Sequence, residues 1–210
     1  MNIINNLKSI KDNLISLKSS TTIIVVCKNQ EIVKIKDLIN YGHLDFGENK
    51  IQEAYLKWKD FIKDNESINL HFLGHLQTNK VSQALEIFSF IHSLDSEKLA
   101  LKLANEEKNL KKKTKYFIQV NMADEKNKSG ISPPATQDFI DFCMNELNLN
   151  IVGLMCLPPF NTDPTEYFIK LKEIAISKKI EHLSMGMSQD YKIAINCGST
   201  HVRVGSLIFN

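Results

Sequence analysis

The sequence predicts a (β/α)8 barrel, the TIM-barrel architecture, with one extra helix at the N-terminus. Two observations support this prediction: short β-branched runs alternate with longer helical patterns, and eight such runs occur along the chain. Regular alternation implies right-handed crossovers and a parallel sheet, and eight repeats suggest that the sheet closes. A doubly wound open sheet is the alternative that the pattern leaves open. We expect residues 1–210 to form a single domain, because no linker or low-complexity segment divides them.

The first predicted element is an amphipathic helix. Its apolar residues recur at intervals of three and four, as on a helix face that packs against the body of a protein. These residues are Ile3, Leu7, Ile10, Leu14 and Leu17. Asparagine and lysine interrupt the segment throughout, so it does not have the pattern of a signal peptide.

Strands and helices then follow in alternation. The predicted strands, in order, are TTIIVVCK, HLDFGEN, INLHFLGH, SFIHSL, KYFIQVNM, LNIVGLMCLPP, IEHLSMGM and STHVRVGSLIF. The predicted helices between them are EIVKIKDLINYG, KIQEAYLKWKDFIK, TNKVSQALEIF, DSEKLALKLANEEKN, ATQDFIDFCMNEL, PTEYFIKLKEIAISKK and SQDYKIAINCG. Residues typical of helix ends mark several boundaries, namely Gly42, Thr78, Asp95 or Ser96, and Pro164.

Composition and charge exclude several classes of function. The net charge is only +2, so there is no bulk electrostatic case for nucleic-acid binding. No apolar run approaches the roughly 18–20 residues that span a bilayer, so we expect no membrane insertion. The four cysteines form no CxxC pair, and without a secretion signal we expect reduced thiols and a cytoplasmic protein.

The working residues of such barrels lie at the carboxyl ends of the strands, and the first of these ends carries Lys28. The apolar run TIIVVC precedes it, so we expect its stem to lie in the barrel mouth and its ammonium to be partly desolvated. Partial desolvation favours the neutral amine, which attacks a carbonyl to form a Schiff base. An ordinary solvent-facing lysine is the alternative.

The last two predicted strands end in SMGMSQD and RVGS, and in many barrels the corresponding loops bind phosphate. We expect Ser188 to open the helix SQDYKIAIN, so that its hydroxyl and the first free N–H groups hold an anion. Gly186 and Gly205 would let the backbone approach the anion closely. The alternative is a simple N-cap serine with two turn glycines.

His71 and His75 stand four apart in HFLGH, a spacing that binds metal when it occurs on a helix. The segment has the pattern of a strand, however, and it lacks the glutamate of a metalloprotease helix. We therefore expect no metal site.

Arg203 is the only arginine in the chain, and it lies near the end of the last predicted strand. A reactive amine, a phosphate loop and a guanidinium in one barrel mouth match the needs of pyridoxal 5′-phosphate (PLP), which brings an aldehyde, a phosphate and a pyridine nitrogen. Schiff-base aldolases also combine a lysine with phosphate sites on barrels. The residues alone leave both classes open.

Seven segments, in order and at compatible spacing, resemble the YggS/PROSC family of PLP homeostasis proteins. They are CKNQ, FGENKIQEA, HFLGHLQTNK, NKSGI, GLMCLP, LSMGMSQDYKIAINCGST and VRVGSLIF, and they run across nearly the whole chain. The resemblance implies a single-domain barrel of PLP fold type III, like the N-terminal domain of alanine racemase, with PLP held as a Schiff base.

The resemblance also implies roles for individual residues. Lys28 matches the lysine that binds PLP, and Arg203 matches the arginine that faces the pyridine nitrogen. The other positions that match groups near the ring or the phosphate are Asn49, Met155, Ser188, Gly205 and Ser206. Three less specific candidates at the mouth are His75, Lys128 and Ser184, of which Lys128 matches a lysine that would engage PLP during transfer.

Three features depart from the family pattern. Cys27 stands where a serine usually precedes the PLP lysine, and Ser206 replaces a threonine but keeps a hydroxyl. The sequence stops at Asn210, a few residues short of the usual length. None of these departures removes a group that binds PLP.

The function that the resemblance implies is PLP homeostasis, meaning storage and delivery of the cofactor, with transient contacts with apo-enzymes. Racemases of this architecture use a second acid/base, a tyrosine beside a C-terminal β-domain, and we expect this chain to lack it. Arginine does not give up its proton, so it keeps the pyridine nitrogen an acceptor and weakens the ring as an electron sink. We therefore expect a monomeric carrier without robust catalytic activity; a weak PLP-dependent amino acid racemase is the alternative.

Overall fold

In residues 2–125 and 128–210, which the computed structural model of the chain describes, eight short parallel strands close a barrel in chain order. The strands are β1 (Thr22–Val26), β2 (Asp45–Glu48), β3 (Asn69–Phe72), β4 (Phe90–Leu94), β5 (Lys115–Val120), β6 (Asn150–Cys156), β7 (His182–Met187) and β8 (His201–Val204). β8 pairs with β1 through the register Ile24↔Arg203, which closes the sheet. The predicted (β/α)8 architecture is confirmed, and an open sheet is excluded.

The same described residues form nine α-helices. They are α1 (Ile3–Ser16), α2 (Ile32–Asn40), α3 (Ile51–Trp58), α4 (Val81–Ile87), α5 (Glu97–Leu110), α6 (Thr136–Asp141), α7 (Thr165–Ser177), α8 (Tyr191–Asn196) and α9 (Ser206–Phe209). A 3₁₀ turn, Thr78–Lys80, leads into α4, and a π-helical turn, Phe142–Glu146, extends α6. No helix in the described part of the chain has both the length and the apolar character needed to cross a membrane.

The extra N-terminal helix packs against the body of the protein, as predicted. Leu7, Ile10 and Leu14 are buried on one face of α1 and belong to the large apolar cluster between the barrel and its helices. Leu17 lies just beyond the end of α1 and is 36% exposed. Leu17, the last residue of the predicted apolar face, therefore does not belong to the buried face of α1.

The interior of the barrel is polar. His71, His92 and His201 are buried there together with Phe117 and Arg203. Branched apolar residues usually fill this space in barrels of this kind. Buried imidazole and guanidinium groups require hydrogen-bond partners, and the strands around the barrel supply them.

The loop after β7 differs from the prediction. Residues 188–190 form a turn and α8 begins at Tyr191, so the expectation that Ser188 opens this helix is wrong. The Asp190 carboxylate accepts the Met187 N–H at 2.5 Å. Because this bond closes a turn across residues 187–190, the helix starts later than the sequence pattern suggested.

The last strand is shorter than predicted, because Ser206–Phe209 forms α9. The last pair between β8 and β1 is Val204 with Val25, and only Val26 remains in β1 beyond it, so a β8 that continued to Phe209 would lack a neighbour. α9 instead packs against α1, with Ile208 buried and its carbonyl accepting from Asn6 Nδ2 at 2.9 Å.

Candidate functional site

Lys28 follows β1 at the carboxyl end of the barrel. It lies in a turn with Asn29, whose φ of 59° is in the left-handed region that asparagine tolerates. Lys28 is exposed, so the partial desolvation expected from the sequence is absent. Within residues 2–125 and 128–210 its ammonium forms no ion pair. The amine is therefore free to meet a ligand at the mouth.

A buried ion pair lies directly behind Lys28. The Lys57 ammonium, on α3, lies 2.8 Å from Glu48 Oε1 and donates to the Cys27 carbonyl at 2.9 Å. The Trp58 Nε1–H donates to the same Glu48 oxygen at 2.9 Å. The Glu48 carboxylate thus points toward α3. It holds the Lys57 ammonium, which in turn bonds the backbone just before Lys28. The role of Lys57 was not predicted from the sequence. It could have been inferred from Glu48, because a carboxylate at the end of a buried strand requires a partner.

Cys27 is a packing residue. Burial raises the pKa of its thiol well above the ordinary value, and the Glu48 carboxylate raises it further. The thiol donates to the Val25 carbonyl at 3.2 Å. It is therefore protonated and poorly nucleophilic, so the cysteine that replaces the usual serine adds no second reactive group beside Lys28.

Asn49 lies half-buried at the mouth, just after β2. The backbone after β3 approaches it closely, since a Cβ on Gly74 would lie 2.0 Å from the Asn49 carbonyl oxygen. Only glycine permits this approach. The close contact holds Asn49 at the end of the strand that neighbours β1 and its lysine.

Arg203 lies inside the barrel and is 5% exposed. Its Nη1 donates to the Ser184 carbonyl at 2.6 Å and to the Ser184 hydroxyl at 2.7 Å, and its Nη2 donates to the Cys156 carbonyl at 3.0 Å. Burial lowers the pKa of Arg203, but an arginine with three acceptors remains a cation. Met155 is buried and pairs in register with Ser184. The structure therefore brings Met155, Ser184 and Arg203 together.

The serines predicted to bind phosphate line one cleft. This cleft, of about 680 Å³, is bordered by α1, α8 and α9, and both Ser188 and Ser206 contribute to its wall. Gly205 lies close to β1, since a Cβ there would be 3.2 Å from the Val26 carbonyl oxygen. Ser206 begins α9, and in the described residues the N–H groups of Ser206 and Leu207 donate no backbone hydrogen bond. The free N–H groups expected at Ser188 are thus found at Ser206, on a different helix, whereas α8 begins at Tyr191.

His75 and Lys128 lie elsewhere on the rim, in the loops after β3 and β5. His75 Nδ1 lies 3.2 Å from Asp95 Oδ2, and the Lys128 ammonium lies 2.6 Å from Glu125 Oε1. In the closed strand order these loops are across the mouth from the loop after β8, so the structure does not group them with the serines. Asn127, the first residue of the NKSGI segment, lies outside the described residues.

No group of three or more histidine, cysteine, aspartate or glutamate residues is placed to hold a metal ion in the part of the chain that the structure describes. His71 is fully buried inside the barrel, whereas His75 is exposed at the mouth. Because HFLGH spans the end of a strand, these two side chains reach different environments.

The family model for the alanine racemase N-terminal domain matches residues 2–210. The chain belongs to this family. A relative from Pasteurella multocida, named pyridoxal phosphate homeostasis protein, is 34% identical over 202 residues, which are 91% of this chain and 87% of the relative. The resemblance seen in the sequence motifs is confirmed.

Two solved structures share this fold. PipY of Synechococcus elongatus, solved with PLP bound, has a TM-score of 0.89 and 29% identity, and the match covers 100% of both chains. An alanine racemase of Clostridium difficile has a TM-score of 0.73 and 16% identity, and the match covers 99% of this chain and 56% of that one. The second likeness concerns the fold alone.

The donor set at the carboxyl end of the barrel fits PLP. Lys28 offers a free amine to an aldehyde, and Arg203 offers a buried guanidinium to a ring nitrogen. The hydroxyl and N–H of Ser206 suit a phosphate. The cleft is lined by Ser188 and Ser206, and Lys28 is not among its lining residues.

Proposed function

We propose that this chain is a PLP-binding protein of cofactor homeostasis, which stores PLP and delivers it. The observation that supports this most directly is the placement of Lys28 in the turn after β1, next to Arg203 on the paired strand β8 and beside Gly205 and Ser206. The name of the Pasteurella relative and the ligand in the PipY structure support the same cofactor.

When bound, PLP supplies an aldehyde that condenses reversibly with an amine and a ring that withdraws electrons. Lys28 would hold the aldehyde end, and Arg203 would donate to the ring nitrogen. The residues that would border the ring or bind the phosphate are Asn49, Met155, Ser188, Gly205 and Ser206. Ser184 would act through Arg203. His75 and Lys128 would meet the cofactor only at the rim, and Lys128 would first have to leave Glu125.

We infer that the chain acts as a carrier rather than a catalyst. Arg203 is a permanent donor, so the ring nitrogen would remain unprotonated, and an unprotonated ring stabilises a neighbouring carbanion weakly. A weak amino acid racemase is the alternative, because Lys28 could still act as one base. Chirality-resolved turnover of alanine decides between them: sustained rates of roughly 1 per second or more would identify an enzyme.

We further propose that residues 1–210 act as a single domain, as a monomer in the cytoplasm, with transient contacts with PLP-dependent apo-enzymes as recipients. The closed barrel and its helices form one continuous apolar cluster, which supports one domain. The net charge of +2 offers no attraction to nucleic acid, so we propose no such partner.

The absorbance of the PLP-loaded protein tests the main proposal. The unaltered chain should acquire a visible band on addition of PLP, and Lys28→Ala should lose it. Lys108→Ala is the matched control, because Lys108 is exposed in the last turn of α5, which leads to the start of β5 at the end of the barrel opposite the mouth, and this variant should keep the band. A chain that gains no band with PLP would refute the proposal and reopen the PLP-free aldolase class.

A further inference from the structure

A continuous line of hydrogen bonds crosses the barrel interior from Arg203 to Asp45. Arg203 Nη1 lies 2.7 Å from Ser184 Oγ, and Ser184 Oγ lies 2.9 Å from His92 Nδ1. His92 Nε2 lies 3.0 Å from His71 Nδ1, and His71 Nε2 lies 3.2 Å from Asp45 Oδ1. The line joins residues of β8, β7, β4, β3 and β2, and it ends on the arginine of the candidate site.

The two ends of this line determine the direction of every hydrogen bond within it. A guanidinium only donates, so Ser184 accepts from Arg203 and its own hydroxyl hydrogen is left for His92 Nδ1. A neutral His92 with an acceptor at Nδ1 carries its proton on Nε2, which donates to His71 Nδ1. By the same reasoning the His71 proton lies on Nε2 and faces the Asp45 carboxylate, which only accepts. A second proton on either imidazole would break a bond.

Burial and packing favour this arrangement. His71 and His92 are both 0% exposed, and burial lowers the pKa of each, that of His92 well below its ordinary value. Burial pushes the pKa of Asp45 upward, but hydrogen bonds led by that from His71 outweigh it, and the net pKa is lowered. His71 stacks on Phe90 at 4.4 Å and His92 stacks on Phe117 at 4.1 Å between ring centroids, which holds both imidazoles in place.

Arg203 retains donors that the protein does not use. Its Nη1 hydrogens go to Ser184, and one Nη2 hydrogen goes to the Cys156 carbonyl. Within the described residues, its Nε–H and the second Nη2 hydrogen have no partner. The plane of the guanidinium, and so the direction of these free donors, depends on the groups that hold the other hydrogens.

We propose that His92 and His71 are positioning residues for Arg203, which act through the Ser184 hydroxyl to hold the guanidinium with its free N–H groups toward the ring nitrogen of PLP. This inference rests on the proposed function. Without the acceptor on His92, the Ser184 hydroxyl is free to rotate, and Arg203 loses one of its three fixed contacts.

Histidine-selective 15N labelling of the PLP-free protein tests the line itself. Long-range 1H–15N correlations should show His71 and His92 still neutral at about pH 5.5, where an ordinary imidazole, with a pKa near 6.5, is mostly charged. In both rings Nε2 should be protonated and Nδ1 bare. The spectra of His71→Phe and His92→Phe assign the signals. A proton on His92 Nδ1, or a charged imidazole at either position, would overturn the proposed direction of the bonds.

Variants loaded with PLP test the positioning role. His92→Phe keeps a ring against Phe117 but removes the acceptor, so the Kd for PLP should rise about 2- to 10-fold and the absorbance maximum of the bound cofactor should shift. His92→Asn keeps an acceptor oxygen and should bind within about twofold of the unaltered chain. His201→Phe is the matched control: this buried imidazole bonds the Thr200 hydroxyl at 2.8 Å, outside the line, and its loss should leave the maximum in place.

If His92→Phe does not fold, Ser184→Ala removes the same link between His92 and Arg203. It should shift the absorbance maximum of the bound cofactor in the same way. A wild-type Kd and maximum in the folded variant would overturn the positioning role and leave the proposed function standing. An unaltered chain that gives no PLP band would overturn the proposed function instead.

Discussion

Arg203 makes three hydrogen bonds to Ser184 and Cys156 while almost fully buried. A planar guanidinium can do this because its donors point in fixed directions and its charge persists on burial. A buried lysine offers one flexible ammonium that desolvation drives toward the neutral form. These contacts give a structural reason for the guanidinium at position 203. The chain has 26 Lys+Arg residues, and the other 25 are lysines.

Arg203→Lys should therefore retain PLP on Lys28 but bind it at least about tenfold more weakly, because hydrogen bonds to a charged group contribute about 1.5–3 kcal/mol each. The absorbance maximum of the bound cofactor should shift as well, since the donor facing the ring changes. A spectrophotometric titration with PLP measures both quantities. If neither changed, the assignment of Arg203 to the ring nitrogen would be wrong.

At the scale of elements, one ion pair ties α3 to the ends of β1 and β2. The Lys57 ammonium, on α3, contacts Glu48 and donates to the Cys27 carbonyl. The Lys57 side chain is 14% exposed and the Glu48 side chain is 1% exposed. The turn that carries Lys28 is thus supported from outside the barrel. The hydrogen bond from Lys57 to the Cys27 carbonyl therefore helps to fix the backbone next to the reactive amine.

Lys57→Met should lower the free energy of unfolding by about 3–5 kcal/mol, because it leaves the Glu48 carboxylate buried without its cation. Adding Glu48→Gln should recover part of this loss, since the uncompensated charge is then gone. Urea denaturation followed by circular dichroism measures the differences.

Lys63→Met is the matched control, because it breaks an ion pair with Asp60 whose side chains are 65% and 90% exposed. Such a pair contributes about 0–1 kcal/mol. Equal losses in Lys57→Met and Lys63→Met would contradict the role of the buried pair.

At the scale of the whole molecule, the polar interior makes the barrel sensitive to acid. Burial lowers the pKa of His43, His71 and His92, and it lowers the pKa of His201 to about 3. In the unfolded chain these histidines take up protons near pH 6.5. Below that pH the unfolded state binds more protons than the folded state, so stability is lost as the pH falls.

The free energy of unfolding should accordingly be highest above about pH 6.5 and fall below it, by up to about 1.4 kcal/mol per pH unit for each histidine that stays neutral when folded. Urea denaturation at a series of pH values between about 7.5 and 4.5 measures this slope. His92→Phe removes one of the four groups and should show a shallower slope, whereas a flat profile in the unaltered chain would contradict the buried neutral imidazoles.

The sequence by itself determined the barrel, the family and the strand ends that carry Lys28 and Arg203, because strand and helix periodicities are local and the motifs are contiguous. Only the tertiary structure decided what depends on distant partners. The Ser184–His92 bond joins residues 92 apart, and the His71–His92 bond joins residues 21 apart. The helix at Ser206 depends on where its neighbouring strand β1 ends and on packing against α1. No local pattern records these contacts, because closure of the barrel brings together side chains that no short stretch of sequence contains.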